Sequence, residues 1–154
     1  MLGLVRYQAG DIKLLGHDVK TEYNMLYGKI GVLFDENGLY ERMTAVENME
    51  FFLSAYGRRD LLPKAMELLG ELELRDTGKK RVSTFSKGMK RKLALARALF
   101  RRGSVLLFDE PSAALDAQSA DAYWHTMQTQ NADRKSITLF ITHSLSSVAF
   151  VDQI

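Results

Sequence analysis

Two adjacent carboxylates stand at the end of an apolar run, Val105-Leu-Leu-Phe-Asp109-Glu110-Pro111. The run has the length of a buried strand, and ligands of open parallel sheets bind beyond the carboxyl ends of their strands. Asp109, at the strand tip, is placed to hold Mg²⁺ directly or through water. Glu110, next along, is placed to draw a proton from an attacking water as general base. The bland alternative is a strand that ends in a polar turn. A second segment, Thr84-Phe-Ser-Lys-Gly-Met-Lys-Arg-Lys-Leu-Ala-Leu-Ala-Arg-Ala-Leu99, opens a helix at Ser86 and Gly88. A helix N-terminus offers free amides and a partial positive charge, hence an anion site, and Gly88 lets a phosphate approach the backbone closely. Taken alone, this segment is an ordinary capped helix with a basic, solvated face. His143 ends a third run, Ile137-Thr-Leu-Phe-Ile-Thr142. By itself it is a surface histidine, and His17 and His125 stand at no metal-ligand spacing from it.

The elements that must carry these residues follow from periodicity. Val5–Leu15 holds short extended stretches broken at Ala9-Gly10-Asp11, and Gly16-His17-Asp18 is predicted as a turn. Lys29–Phe34 is a strand-sized apolar run, followed by the polar loop Asp35-Glu-Asn-Gly-Leu. Thr44-Ala-Val-Glu47 is a capping box that opens a helix with Val46, Met49, Leu53 and Tyr56 at helical spacing, stopped by Gly57. Pro63 starts a second helix that runs to about Leu69. The third begins near Ser86 with Met89, Leu93, Ala96 and Leu99 on one face. From Gly103 the chain returns to strand at Ser104–Phe108, then a helix through Trp124 and a strand within Ser136–Thr142. Strand, helices, strand, helix, strand is the order of an α/β sheet interrupted by a helical insertion, roughly residues 41–100.

Composition narrows the class. The 154 residues are 46% apolar and 26% charged, a globular balance in a chain long enough for one domain. Lys plus Arg number 21 against 19 Asp plus Glu, so the net charge of +2 exerts no whole-chain pull on nucleic acid. Zero cysteines exclude a disulfide framework and thiolate metal sites. No apolar run is long enough to span a bilayer, and Arg6, Asp11 and Lys13 interrupt any secretory signal.

The three segments, in this order, resemble the nucleotide-binding domain of ABC-type ATPases over essentially the whole chain. Phe85-Ser-Lys-Gly-Met89 is similar to the family's Leu-Ser-Gly-Gly-Gln signature, and Leu106–Glu110 to Walker B with its catalytic glutamate. Ser112-Ala-Ala-Leu-Asp116 is similar to the D-loop, Thr142-His143 to the H-switch, and the stretch from Gly31 to Tyr40 falls where the family has its Q-loop. The resemblance implies an α/β, P-loop NTPase-like fold. Residues 1–40 and 101–154 would form a partial RecA-like core, and 41–100 a helical signature subdomain. It implies ATP and Mg²⁺ as cofactors, with Glu110 and His143 catalytic and Asp109 and Asp35 at the metal. Ser86, Lys87, Gly88, Met89 and Asp116 would bind nucleotide. Two such domains would pair head to tail and drive an integral membrane permease from the cytoplasmic face, with the region around Tyr40 and Arg42 near the coupling surface.

The sequence also departs from the pattern. G-x-x-x-x-G-K-S/T is absent: Tyr23 and Glu73 stand five residues before the glycines of the only Gly-Lys pairs, Gly28-Lys29 and Gly78-Lys79. The chain is therefore expected to be an N-terminally truncated piece of a longer protein, inactive alone and leaving strand edges unpaired. Asp35 occupies the usual glutamine position of the Q-loop. Lys87 and Met89 replace Gly and Gln, a variant similar to the ATPase subunits of ABC-2-type exporters. Two other readings are a nucleic-acid-linked ABC ATPase and a degenerate, non-hydrolysing half. The first draws on ten basic residues and no acidic one between Lys79 and Arg102. A solvated helix face accounts for that stripe, so no nucleic acid is expected as a partner.

Overall fold

The computed structural model describes residues 9–26, 29–33, 38–77, 79–100, 105–111, 115, 117–132 and 137–143, and within 117–132 the side chains of 120, 121 and 124–129. Lys13–Leu14 (β1) and His17–Asp18 (β2) pair antiparallel. Leu15 and Gly16 between them have φ of 52° and 81°, the doubly left-handed backbone of a tight hairpin. The turn thus falls at Leu15-Gly16, and His17 and Asp18 are strand residues, a shift from the expected Gly16-His17-Asp18. A single helical turn, Tyr23–Leu26 (α1), follows where no helix is predicted. The loop before it is stitched locally: Asp18 Oδ1 accepts from the Lys20 and Thr21 amides at 2.7 and 3.2 Å, and Glu22 Oε2 from the Asp18 amide at 3.0 Å. Those backbone donors hold both carboxyls below their ordinary pKa.

Ile30–Leu33 (β3), Val105–Asp109 (β4) and Ile137–Ile141 (β5) form a parallel sheet in the order β3-β4-β5. Parallel neighbours need crossovers. The β3-to-β4 crossover carries Ala45–Ala55 (α2), Leu62–Glu71 (α3) and Lys87–Phe100 (α4), and the β4-to-β5 crossover carries Ala117–Ala132 (α5). The capping box forms as predicted: the Glu47 amide donates to Thr44 Oγ1 at 3.2 Å and the Thr44 amide to Glu47 Oε2 at 2.7 Å. Gly57, at φ 66°, lies just past the end of α2. Pro63 lies in the first turn of α3.

The expectation of a one-faced α4 is corrected. Residues 91–96 and 98–100 are all buried, because α4 lies between the sheet on one side and α2 and α3 on the other. A helix enclosed this way buries its whole circumference. Gly31 allows the close approach: a Cβ there would lie 3.2 Å from the Ala98 carbonyl oxygen and 2.6 Å from Leu106 Cδ2. The main core therefore joins Leu33, Leu106 and Phe108 of the sheet to Met49, Leu53, Leu68, Leu69, Leu95 and Leu99 of the helices, with Trp124 of α5. A smaller cluster, Val19, Leu26 and Ile30, seats the hairpin and α1 on the other face of the sheet. No helix among the described residues is long and apolar enough to cross a membrane.

Candidate functional site

The carboxyl end of β4 is where the predicted residues converge. Asp109 is the last residue of the strand and half-buried. Glu110 turns sharply out of it at φ 45°, a left-handed backbone that costs a non-glycine residue roughly 1–2 kcal/mol. Its amide donates to the Ile141 carbonyl at 2.8 Å, so the β4–β5 pairing reaches one residue past the strand. The turn aims the carboxylate at the tip of β5. There Glu110 Oε1 accepts from the His143 backbone N–H at 2.6 Å, and Oε2 lies 3.5 Å from the Thr142 hydroxyl. The His143 ring stands outward, with Nε2 4.0 Å from Glu110 Oε1 and the side chain 98% exposed. Two residues 33 positions apart in sequence are thus one unit: a carboxylate gripped by a backbone amide beside a solvent-facing imidazole.

Ser86, Lys87, Gly88 and Met89 sit together at the N-terminus of α4. The Met89 amide donates to Ser86 Oγ at 3.2 Å and the Lys90 amide to the Ser86 carbonyl at 3.0 Å. Ser86 is therefore the N-cap, and it is exposed. Asp35 and Asp116 lie outside the described residues. No group of three or more His, Cys, Asp and Glu side chains among the described residues is arranged to hold a metal ion. A single carboxylate such as Asp109 fits Mg²⁺ that takes its remaining ligands from phosphate oxygens and water, the usual manner of that ion. Asp109 would then hold the ion, whose chemistry is to neutralise phosphate charge.

Arg91 was missed by sequence reasoning, which placed it in the basic stripe. It is 3% exposed. Its guanidinium donates from Nε to the Pro111 carbonyl at 3.2 Å, and from Nη2 to the carbonyls of Glu110 at 2.7 Å and of Asp109. The solvated-face reading of the stripe is corrected for Lys90, Arg91, Lys92 and Arg97, whereas Lys79, Lys80, Arg81 and Lys87 are exposed as that reading expects, and Arg101 and Arg102 lie outside the described residues. Lys92 is also buried and pairs with Glu73 at 3.1 Å, Lys90 pairs with Glu41, and Arg97 donates to the Gly38 carbonyl at 2.6 Å while stacking over Phe52. Enclosure of α4 turns these cations inward onto protein acceptors. The signal available in sequence was Leu93-Ala94-Leu95-Ala96, a contiguous apolar run that leaves no side of the helix for solvent.

The loop 38–40 is tied to the helices by the same means. Buried Asn48 accepts from the Tyr40 amide at 2.8 Å and donates to the carbonyls of Tyr40 and Thr44 at 3.0 and 2.9 Å. A buried amide with these three bonds is satisfied, and it holds the chain that leads from β3 into α2.

The chain is similar to known proteins along most of its length. A family model described as ABC transporter matches residues 1–113. The ABC transporter ATP-binding protein NatA of Bacillus subtilis (strain 168) is 37% identical over 148 residues, 94% of this chain and 60% of that protein. The Nod factor export ATP-binding protein I of Paraburkholderia xenovorans (strain LB400) is 34% identical over 145 residues, 93% of this chain and 47% of that protein. Matches include proteins named for import as well as export. The chain spans about half the length of these curated relatives. A solved structure of an ABC transporter ATP-binding subunit superposes with a TM-score of 0.81 at 24% identity, covering 98% of this chain and 64% of that one. That likeness shows the α/β, P-loop NTPase-like fold. With the family model spanning both the Ser86–Met89 helix terminus and the Asp109–Glu110 strand tip, the chain belongs to the ABC transporter family.

Proposed function

We propose that the chain is the signature and Walker B part of the ATP-binding subunit of an exporter, working at the cytoplasmic face of a membrane. The single observation that carries this reading is the Glu110 carboxylate fixed by the His143 amide at 2.6 Å, beside a half-buried Asp109 at the strand tip. In that arrangement Glu110 accepts the proton of an attacking water, and the exposed His143 ring lies against the transferred phosphate. Asp109, with Asp35, would hold a magnesium ion, which would neutralise phosphate charge. The first turn of α4, Ser86 to Met89, faces the phosphates of a nucleotide held by a second ATP-binding domain, and Asp116 lines the same interface. Residues 41–100 act as a subdomain that transmits closure to a membrane permease. The Lys87 and Met89 variant of the signature supports the exporter class over import.

These 154 residues hold no G-x-x-x-x-G-K-S/T, and losing one preorganised donor to a developing charge costs about 2.7–4 kcal/mol. The chain alone is therefore expected to release no phosphate from ATP above background. Mixed with a complete ATP-binding domain of the family and MgATP, it is expected to sediment as a one-to-one complex that Ser86→Arg abolishes. No association at any ATP concentration, or phosphate release by the chain alone that Glu110→Gln removes, overturns the proposal.

A further inference from the structure

The turn that carries Glu110 is held from two sides. On the amide side the Glu110 N–H donates to the Ile141 carbonyl at 2.8 Å. On the carbonyl side three successive oxygens, of Asp109, Glu110 and Pro111, are gathered by the one guanidinium of Arg91. A buried cation is tolerated only when its donors are matched. Buried carbonyls beyond the end of a strand likewise need partners that the sheet does not supply. Arginine meets both demands at once, because its planar fork presents several donors in fixed directions, whereas a lysine ammonium is a point charge on a flexible stem. A left-handed non-glycine residue such as Glu110, at φ 45°, persists where its surroundings over-determine it.

We propose that Arg91 is a positioning residue that locks the Asp109–Glu110–Pro111 turn to α4 and so keeps the Glu110 carboxylate on the His143 amide. It acts through the backbone and touches no substrate. Arg91 also stands five residues after Ser86 on one continuous helix, a rise of about 7.5 Å. The lock therefore ties the N-terminus of α4 to the carboxylate turn of the same chain, so that a displacement of the helix is carried to Glu110. What the carboxylate does rests on the proposed function; the lock rests on the geometry alone.

The test is amide hydrogen exchange in the full chain, which reads no ATP turnover and so separates this proposal from the function. Arg91→Met is expected to speed exchange at the His143 amide about tenfold or more relative to the Leu53 amide of α2, as loss of a charge-assisted bond implies. Arg91→Lys, which keeps the charge without the fork, is expected to fall between Arg91→Met and the unaltered chain. Equal acceleration at His143 and Leu53 marks a merely stabilising residue and overturns the proposal, as does a lysine variant indistinguishable from the unaltered chain at His143. If neither variant folds, the Arg91 Nε–H of the unaltered chain decides. A slowly exchanging proton supports the lock, and one exchanging at the rate of a solvated guanidinium overturns it.

Discussion

The helices of the β3-to-β4 crossover and the β5 side of the sheet are built from similar residues and end in opposite circumstances. In the helices, Met49, Leu53, Leu69, Leu95 and Leu99 are all 1% exposed or less. In β5, Ile137, Leu139 and Ile141 are 61%, 45% and 58% exposed. Register explains the contrast. Leu33, Leu106, Phe108 and Phe140 share the face under α4 and α5, where Phe140 stacks on Phe108 at 5.6 Å and meets Trp124 edge-on at 5.1 Å. Ile30, Val32, Leu107, Leu139 and Ile141 share the other face. The hairpin and α1 cover its β3 and β4 portion and stop short of β5. Parallel strands are ordinarily covered on both faces. Apolar character alone therefore does not place a side chain in a core; a second layer must reach it.

The strongest test of this contrast is a pair of truncations. Leu95→Ala is expected to cost about 2–5 kcal/mol, because a fully enclosed site cannot collapse around the void. Leu139→Ala is expected to cost under about 1 kcal/mol. Urea unfolding of both variants checks the pair, and comparable losses would mean that β5 is buried in solution. A smaller effect tests whether the helices owe part of their order to local chemistry. Thr44→Ala, which removes the acceptor for the Glu47 amide, is expected to cost about 1 kcal/mol, read as a lowered denaturant midpoint. An unchanged midpoint would assign the order of α2 to packing alone.

The smallest effect is a pH dependence. The Thr44 amide, then the Thr44 hydroxyl, hold the Glu47 carboxyl below its ordinary pKa of 4.5. A depressed carboxyl contributes stability that is complete above its ordinary value and lost as pH falls through its folded value. The stability gap between the unaltered chain and Glu47→Ala should therefore be full at neutral pH and close progressively below 4.5. Asp18 and Glu22, also held low by backbone donors, are common to both proteins and cancel in the difference. A gap that stays constant into acid would show that Glu47 acts without its charge.

Much of this molecule was legible where the deciding interactions are local. Thr44 and Glu47 are three residues apart, and their reciprocal bonds form wherever a helix starts between them. Gly57 and Pro63 punctuate α2 and α3 for equally local reasons. The Val105–Asp109 run announced a strand ending in carboxylates. By contrast, the one-turn helix α1 carries too few residues to show a period, and the hairpin turn sits at Leu15-Gly16 because Leu15 adopts a left-handed backbone that its type does not advertise. Arg91 and Lys92 were read as solvated because charge is ordinarily solvated. Their burial follows from the layers on both sides of α4, which the contiguous apolar run 93–96 signals but the charged types at 91 and 92 do not.

By itself the sequence determined where α2, α3 and α4 begin, which runs become the three parallel strands, and the order of motifs that marks the family. Those features depend on hydrogen bonds and periodicities spanning a few residues, so neighbouring side chains suffice to set them. Tertiary structure alone decided that Glu110 meets the amide of His143, that Arg91 gathers the three carbonyls of the β4 turn, and that β5 keeps a bare apolar face. Each depends on which layer reaches which surface, a long-range outcome in which residues of identical type are buried or exposed according to what the rest of the chain packs against them.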